Sequence, residues 1–161
     1  ENIEIGSPKE IEIFDLVLND SDVRITSEEA FKETSSDVDL SSANFIVTVG
    51  RGIENEENIP MMERFVNTVG AELGSSRPVV DMGILPKSRL VGSSGHTVSP
   101  DLYLAVGLSG AIQHVVAMKG SKKIMGINTD RDAPIFEIAD YAVVGDLFEI
   151  IPEITKKMSN S

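Results

Sequence analysis

Short apolar runs alternate along this chain with stretches whose apolar residues recur every three or four positions. Phe45-Ile46-Val47-Thr48-Val49 is a mostly apolar run that ends in Gly50-Arg51-Gly52, the pattern of a buried parallel strand entering a tight turn. Asn58-Ile59-Pro60 then opens a helix, with Pro at a tolerated early position, and Ile59, Met62, Phe65, Val66, Val69 and Leu73 fall at helical spacing up to Gly74. Pro78-Val79-Val80 reads as a second short strand and Leu102 to Leu108 as a third, with Ala111 to Met118 as the helix that follows. Lys123 to Asn128 predicts a fourth strand, Ile135 to Ala139 a short helix, and Tyr141 to Val144 a fifth strand. Asp146 starts a final helix with Leu147, Ile150, Ile151, Ile154 and Met158 on one face. Upstream, Lys9 to Leu18 suggests a strand and Ser27 to Phe31 a short helix at the edge of the domain. Strands alternating with helices predict an α/β, Rossmann-like domain: a mainly parallel sheet with helices on both faces.

In such a fold, ligands sit beyond the carboxyl ends of the strands, so the glycine-bearing turns after the strands are the places to look. Gly50-Arg51-Gly52 allows close backbone approach and an arginine fork onto a phosphate; an ordinary turn with a solvated arginine would look the same. Ser75-Ser76-Arg77-Pro78 sets hydroxyls and a guanidinium before the expected second strand, where Pro78 favours an extended Arg77; a plain polar loop is the other reading. Val91-Gly92-Ser93-Ser94-Gly95 begins a hydroxyl-rich loop suited to a polar ring edge or a ribityl chain, or to a linker.

The strongest pattern is Val106-Gly107-Leu108-Ser109-Gly110-Ala111-Ile112-Gln113-His114, a strand running through a Gly-x-Ser-Gly turn into a helix. Free N–H groups and the helix dipole at that start favour a pyrophosphate, and Gln113 and His114 lie within the first turn. A hydrolase nucleophile elbow needs glycine where Ala111 stands, and no His/Asp pairing is evident. His114 fits a ligand contact or a buried structural histidine. Asn128 ends a strand and Asp146 is a good N-cap; both can also meet the distal part of a long ligand.

Composition narrows the field. The chain has 161 residues, enough for one domain with its own core, and its net charge of −12 repels nucleic acid and anionic lipid. With no cysteine and only two histidines, neither a disulfide nor a metal centre is expected. No apolar run is long enough to span a membrane, and Glu1-Asn2-Ile3-Glu4-Ile5 has neither the basic start nor the apolar core of a signal peptide.

The order of these motifs resembles the C-terminal, FAD-binding domain of the electron-transfer flavoprotein alpha subunit. Gly50-Arg51-Gly52, Ser75-Ser76-Arg77-Pro78-Val79-Val80-Asp81 and the specific run Ser99 to His114 carry the likeness, with Ile127-Asn128-Thr129-Asp130 and Asp140 to Glu149 closing it. It extends from about Val47 to Ile154, within a single expected domain over 1–161 whose core is 44–158. The resemblance implies a fold like the nucleotide-binding domain of deoxyhypusine synthase. It also implies FAD held by Arg51, Gly52, Ser76, Arg77, Val91, Gly92, Ser93 and Ser94, and by Ser109, Gly110, Ala111, Ile112, Gln113 and His114. Asn128, Asp146 and Leu147 would meet the AMP end; Arg77 would lie over the isoalloxazine, Ser94 at its N5 edge, and His114, protonated or hydrogen-bonding, at its C2 carbonyl.

The family loop Val-Gly-Gln-Thr-Gly stands here as Val91-Gly92-Ser93-Ser94-Gly95, which keeps a hydroxyl at Ser94 and drops the amide at Ser93. The implied function is an electron carrier, not an enzyme with substrate chemistry. A beta subunit would be its heterodimer partner, a flavoprotein dehydrogenase the donor and a quinone oxidoreductase or similar protein the acceptor. It would work in a prokaryotic cytoplasm, or in the mitochondrial matrix of a eukaryote. A full alpha subunit has another α/β domain before this one, so a fragment or a shortened relative is expected. A non-redox module for NAD or an adenine nucleotide is the alternative.

Overall fold

The computed structural model describes residues 39–160; the strand expected at Lys9 to Leu18 and the helix at Ser27 to Phe31 lie outside them. Five strands form one sheet: β1 (Phe45–Val49), β2 (Glu72–Ser75), β3 (Leu102–Val106), β4 (Lys123–Asn128) and β5 (Tyr141–Val144). Their order is β2-β1-β3-β4-β5 and every pairing is parallel, with Val47 opposite both Leu73 and Leu104, and Ile127 opposite Val106 and Val143. A helix follows each strand in turn: α1 (Ile59–Val69), α2 (Arg77–Asp81), α3 (Ile112–Met118), α4 (Ile135–Ile138) and, after β5, α5 (Leu147–Ser159).

Successive side chains of a strand point to opposite faces, and here both faces are apolar because both are covered. Val47, Val49, Leu104, Val106 and Ile127 pack on one face under α1, through Ile59, Met62, Phe65 and Val66, and under α5, through Leu147 and Ile151. Ile46, Tyr103, Ala105 and Ile124 pack on the other, with Ala117 and Met118 of α3 and Ile135 of α4. Met62 is wholly buried, and removing a side chain of that size from water stabilises the fold by roughly 1.5–3 kcal/mol. α5 begins at an N-cap, Asp146, whose carboxylate accepts the Phe148 N–H at 2.8 Å.

Two elements differ from the sequence reading. Gly74 does not end α1; Gly70 does, in the left-handed conformation at φ 69°, and its neighbours Glu72–Ser75 become β2. Gly74 serves close packing instead, since a methyl there would stand 2.8 Å from Thr48 Oγ1 and 3.2 Å from Val91 Cγ2. Pro78-Val79-Val80 is no strand: it lies within α2, where proline occupies the first turn and loses no helical hydrogen bond. Arg77 is accordingly the first residue of a helix, and the extended residue is Ser76, at φ −86° and ψ 163°. β3 also stops at Val106, leaving Gly107 and Leu108 in the turn.

Candidate functional site

The strand order reverses between β1 and β3, which is where open α/β sheets place their ligand crevice. A cleft of about 830 Å³ opens there. The two turns that form its base are tied together: Gly50 N–H donates to the Val106 carbonyl at 2.8 Å and Gly52 N–H to the Gly107 carbonyl at 2.9 Å. Arg51 and Gly52 stand on one side, in a 3-10 turn that leaves Arg51 exposed. Ser76 and Arg77 enter from the start of α2, and Val91 to Ser94 come from the loop before β3.

That loop is not a loose linker. Ser93 N–H donates to the Gln113 carbonyl at 2.8 Å, His96 N–H to Leu90 at 2.7 Å and Val98 N–H to Ala117 at 2.8 Å, so it is fastened onto α3 and its own base. The Arg77 guanidinium reaches across the cleft mouth to the Ser94 hydroxyl at 3.3 Å while its Nε pairs with Asp81 at 2.7 Å. Both charges of that pair are more than half exposed, so it orients Arg77 without adding much stability.

The β3–α3 turn supplies the donors. Among the described residues no acceptor takes the backbone N–H groups of Leu108, Ser109, Gly110 or Ala111, and Ala111, at the N-cap position of α3, offers no side-chain cap. Successive free N–H groups in such a turn suit an anion. Gly110 makes the turn possible: its φ is 85°, and a methyl there would stand 2.4 Å from Ile135 N. Asn128 braces the turn, its amide nitrogen donating to the Leu108 carbonyl at 3.0 Å and its oxygen accepting the Asp130 N–H at 3.0 Å.

His114 sits at the back of the cleft, 7% exposed, with Nε2 at 2.8 Å from the hydroxyl of the wholly buried Tyr103. Its Nδ1 is buried and has no hydrogen-bond partner among the described residues; the hydroxyl of Ser76, another cleft-lining residue, is in the same state. Of the two forms expected of His114, protonated or hydrogen-bonding, the buried site favours the neutral, hydrogen-bonding one. Burial pushes its pKa down to about 4, outweighing the Val91 carbonyl, which acts the other way. Among the described residues, the permanent positive charges on the cleft wall are those of Arg51 and Arg77, with Glu54 and Asp130 opposing them.

Three residues expected at the ligand stand apart from the wall. Ile112 is 76% exposed on the outer side of α3, Asp146 caps α5, and Leu147 is buried in the core with Ile151. Residues outside the set expected to hold FAD also line the cleft: Glu54, Pro78, Leu90, Gly107, Leu108 and Asp130. Gly107 and Leu108 lay inside the strongest motif and were legible there. Glu54 was not, since nothing in its neighbours announces its φ of 68°.

Buried donors without partners, free backbone N–H groups and two arginines suit a ligand that combines phosphates with a polar ring. A family model described as the electron transfer flavoprotein FAD-binding domain matches residues 39–119. The chain belongs to this electron transfer flavoprotein family. The domain's cofactor is FAD, and the cleft fits it: the Leu108–Ala111 turn suits a pyrophosphate, while Ser76 Oγ and His114 Nδ1 are buried polar atoms without a partner among the described residues.

The electron transfer flavoprotein subunit alpha of Paracoccus denitrificans is 49% identical over 120 residues, 74% of this chain and 39% of that protein. The mitochondrial subunit alpha of Arabidopsis thaliana is 48% identical over 120 residues, covering 74% of this chain and 33% of its own. The chain thus spans about a third to two fifths of the length of these flavoprotein relatives. A solved structure described as a thiamin diphosphate-dependent enzyme from Mycobacterium smegmatis aligns with a TM-score of 0.45 at 14% identity, over 73% of this chain and 25% of that one, too distant to bear on function.

Proposed function

We propose that the cleft between β1 and β3 holds FAD along the strand ends, and that the chain works as the flavin-bearing part of an electron carrier. The free N–H groups of Leu108–Ala111 carry the reading, because they lie where the strand order reverses and no acceptor among the described residues takes them. They would take the pyrophosphate, with Arg51 beside them. Arg77, Ser76, Ser94, Gln113 and His114 would surround the isoalloxazine, while Asn128 shapes the floor toward the adenine half. Asp146 and Leu147 act from behind the wall, by capping and packing α5. Bound flavin supplies the electron chemistry, and the protein tunes it through hydrogen bonds and charge.

Arg77 is the residue that sets charge here. Its guanidinium cannot be deprotonated, and the bonds to Asp81 and Ser94 hold it at the cleft mouth. Neutral His114 contributes a hydrogen bond and no charge. Arg77 is 60% exposed, so water screens it unless a partner covers the opening. A beta subunit is the partner that fits this reading, with a flavoprotein dehydrogenase as donor and a quinone oxidoreductase or similar protein as acceptor, in a prokaryotic cytoplasm or a mitochondrial matrix. The domain over 1–161 is taken as one FAD-binding unit.

The test is the visible absorbance and fluorescence of flavin titrated into the chain, repeated with a beta subunit present. Bound flavin, held more tightly with the subunit, is the expected result. No flavin binding in either case overturns the assignment, and equal affinity in both overturns the shared cleft.

A further inference from the structure

Tyr103 lies on β3 beneath the cleft, wholly buried, on the sheet face it shares with Thr48. Its hydroxyl is 2.8 Å from His114 Nε2, and the two rings meet edge to face at 61°. No other group is within hydrogen-bonding geometry of that hydroxyl among the described residues; the neighbouring Thr48 Oγ1 is buried and unpartnered. Either Tyr103 donates to Nε2 or Nε2–H donates to Tyr103. The second arrangement would leave the buried phenolic proton only the neighbouring Thr48 Oγ1, which stands outside hydrogen-bonding geometry, and a poorly satisfied buried donor costs roughly 1–3 kcal/mol. A phenol is also the more acidic donor, and the bare imidazole nitrogen the better acceptor. Burial, which keeps Tyr103 protonated and His114 neutral, leaves one proton on the phenol and one on the ring.

We propose that Tyr103 is a positioning residue: its buried hydroxyl donates to His114 Nε2, fixes the ring, and so puts the single imidazole proton on Nδ1, a buried atom of a cleft-lining residue that has no partner among the described residues. The cleft therefore meets His114 as a neutral N–H donor, suited to a carbonyl oxygen on the edge of a planar ring. The tautomer stands on the Tyr103–His114 geometry and the burial of both groups; its use toward the isoalloxazine rests on the FAD reading above. Without Tyr103 the ring is free to move its proton to Nε2 or to turn, and Nδ1 becomes an acceptor that repels such an oxygen.

Two experiments separate the parts. Long-range nitrogen–proton NMR of the 15N-histidine-labelled chain at pH 7, without flavin, reads the tautomer; the chain has two histidines and His114→Gln assigns the signal. A single Nδ1–H form in the unmodified chain, shifting to Nε2–H or a mixture in Tyr103→Phe, is expected. An Nε2–H form in the unmodified chain overturns the proposal even if Tyr103→Phe fails to fold, and so does an unchanged tautomer in Tyr103→Phe. The second is a double-mutant cycle on FAD affinity. Tyr103→Phe should weaken binding roughly tenfold, and should have no further effect once His114→Ala is present. Additive losses would mean Tyr103 acts independently of His114. Absence of FAD binding to the unmodified chain would sink the cofactor reading and leave the tautomer result standing.

Discussion

Replacing His114 with Gln should change how the stability of this domain depends on pH. In the unfolded chain the imidazole takes up a proton near pH 6.5, whereas the folded site resists protonation until about pH 4. Between those values the unfolded state binds more protons, so stability is full above pH 6.5 and falls as the pH drops toward 4. At 1.36 kcal/mol per pH unit, the whole interval corresponds to about 3 kcal/mol. His114→Gln removes the titrating group together with the Tyr103 bond, and the cost of that lost bond does not vary with pH across this range.

Urea unfolding of both proteins between pH 7.5 and 4.5 gives the difference directly. The unmodified protein should lose about 2–3 kcal/mol more than the variant over that span. The exposed carboxylates Asp39 and Asp140, held below their ordinary value by hydrogen bonds to Ser42 and Lys123 respectively, lose their contribution at lower pH and do so equally in both proteins. Parallel curves, within a few tenths of a kcal/mol, would mean that His114 is solvated or already charged in the folded protein. The neutral donor assigned to the cleft would then be wrong.

Arg77→Ala should lower the reduction potential of bound flavin, and Arg77→Lys should restore only part of the shift, because an ammonium lacks the planar fork; spectroelectrochemistry of the three proteins checks it. Gly110→Ala, at φ 85° and with Ile135 N 2.4 Å from the new methyl, should destabilise by more than about 1 kcal/mol and weaken FAD binding, read by denaturant midpoint and flavin titration. Asp146→Ala should cost about 1 kcal/mol by removing the α5 cap, with FAD affinity falling far less than in Gly110→Ala, since Asp146 stands behind the wall.

Four strands announced themselves: β1, β3 and β4, which bury Ile46, Val47, Leu104, Ala105 and Ile127 between two helical layers, and β5, whose apolar run Tyr141–Val144 is exposed at the sheet edge. β2 was concealed because Glu72-Leu73-Gly74-Ser75 contains no β-branched residue and includes a glycine that mimics a helix stop. It forms a strand through pairing with β1, and Gly74 is small because Thr48 and Val91 crowd it. Pro78-Val79-Val80 carries the opposite ambiguity, with β-branched residues in a helix too short for propensity to decide. At the site, glycine-bearing turns after strands were legible because close approach and left-handed backbone restrict the residue type. Tyr103 was not, since in an apolar strand one more large residue looks like core, and only three-dimensional placement sets its hydroxyl against His114.

Calorimetric titration of the chain with FAD and with FMN addresses most directly the claim that an extended dinucleotide lies along the strand ends. Contacts proposed from Ser94 to Asn128 span both halves of FAD, so FAD should bind clearly more tightly than FMN, and Gly110→Ala should erase most of that advantage by disturbing the pyrophosphate turn. Equal affinity for the two flavins, or binding of neither, would contradict it.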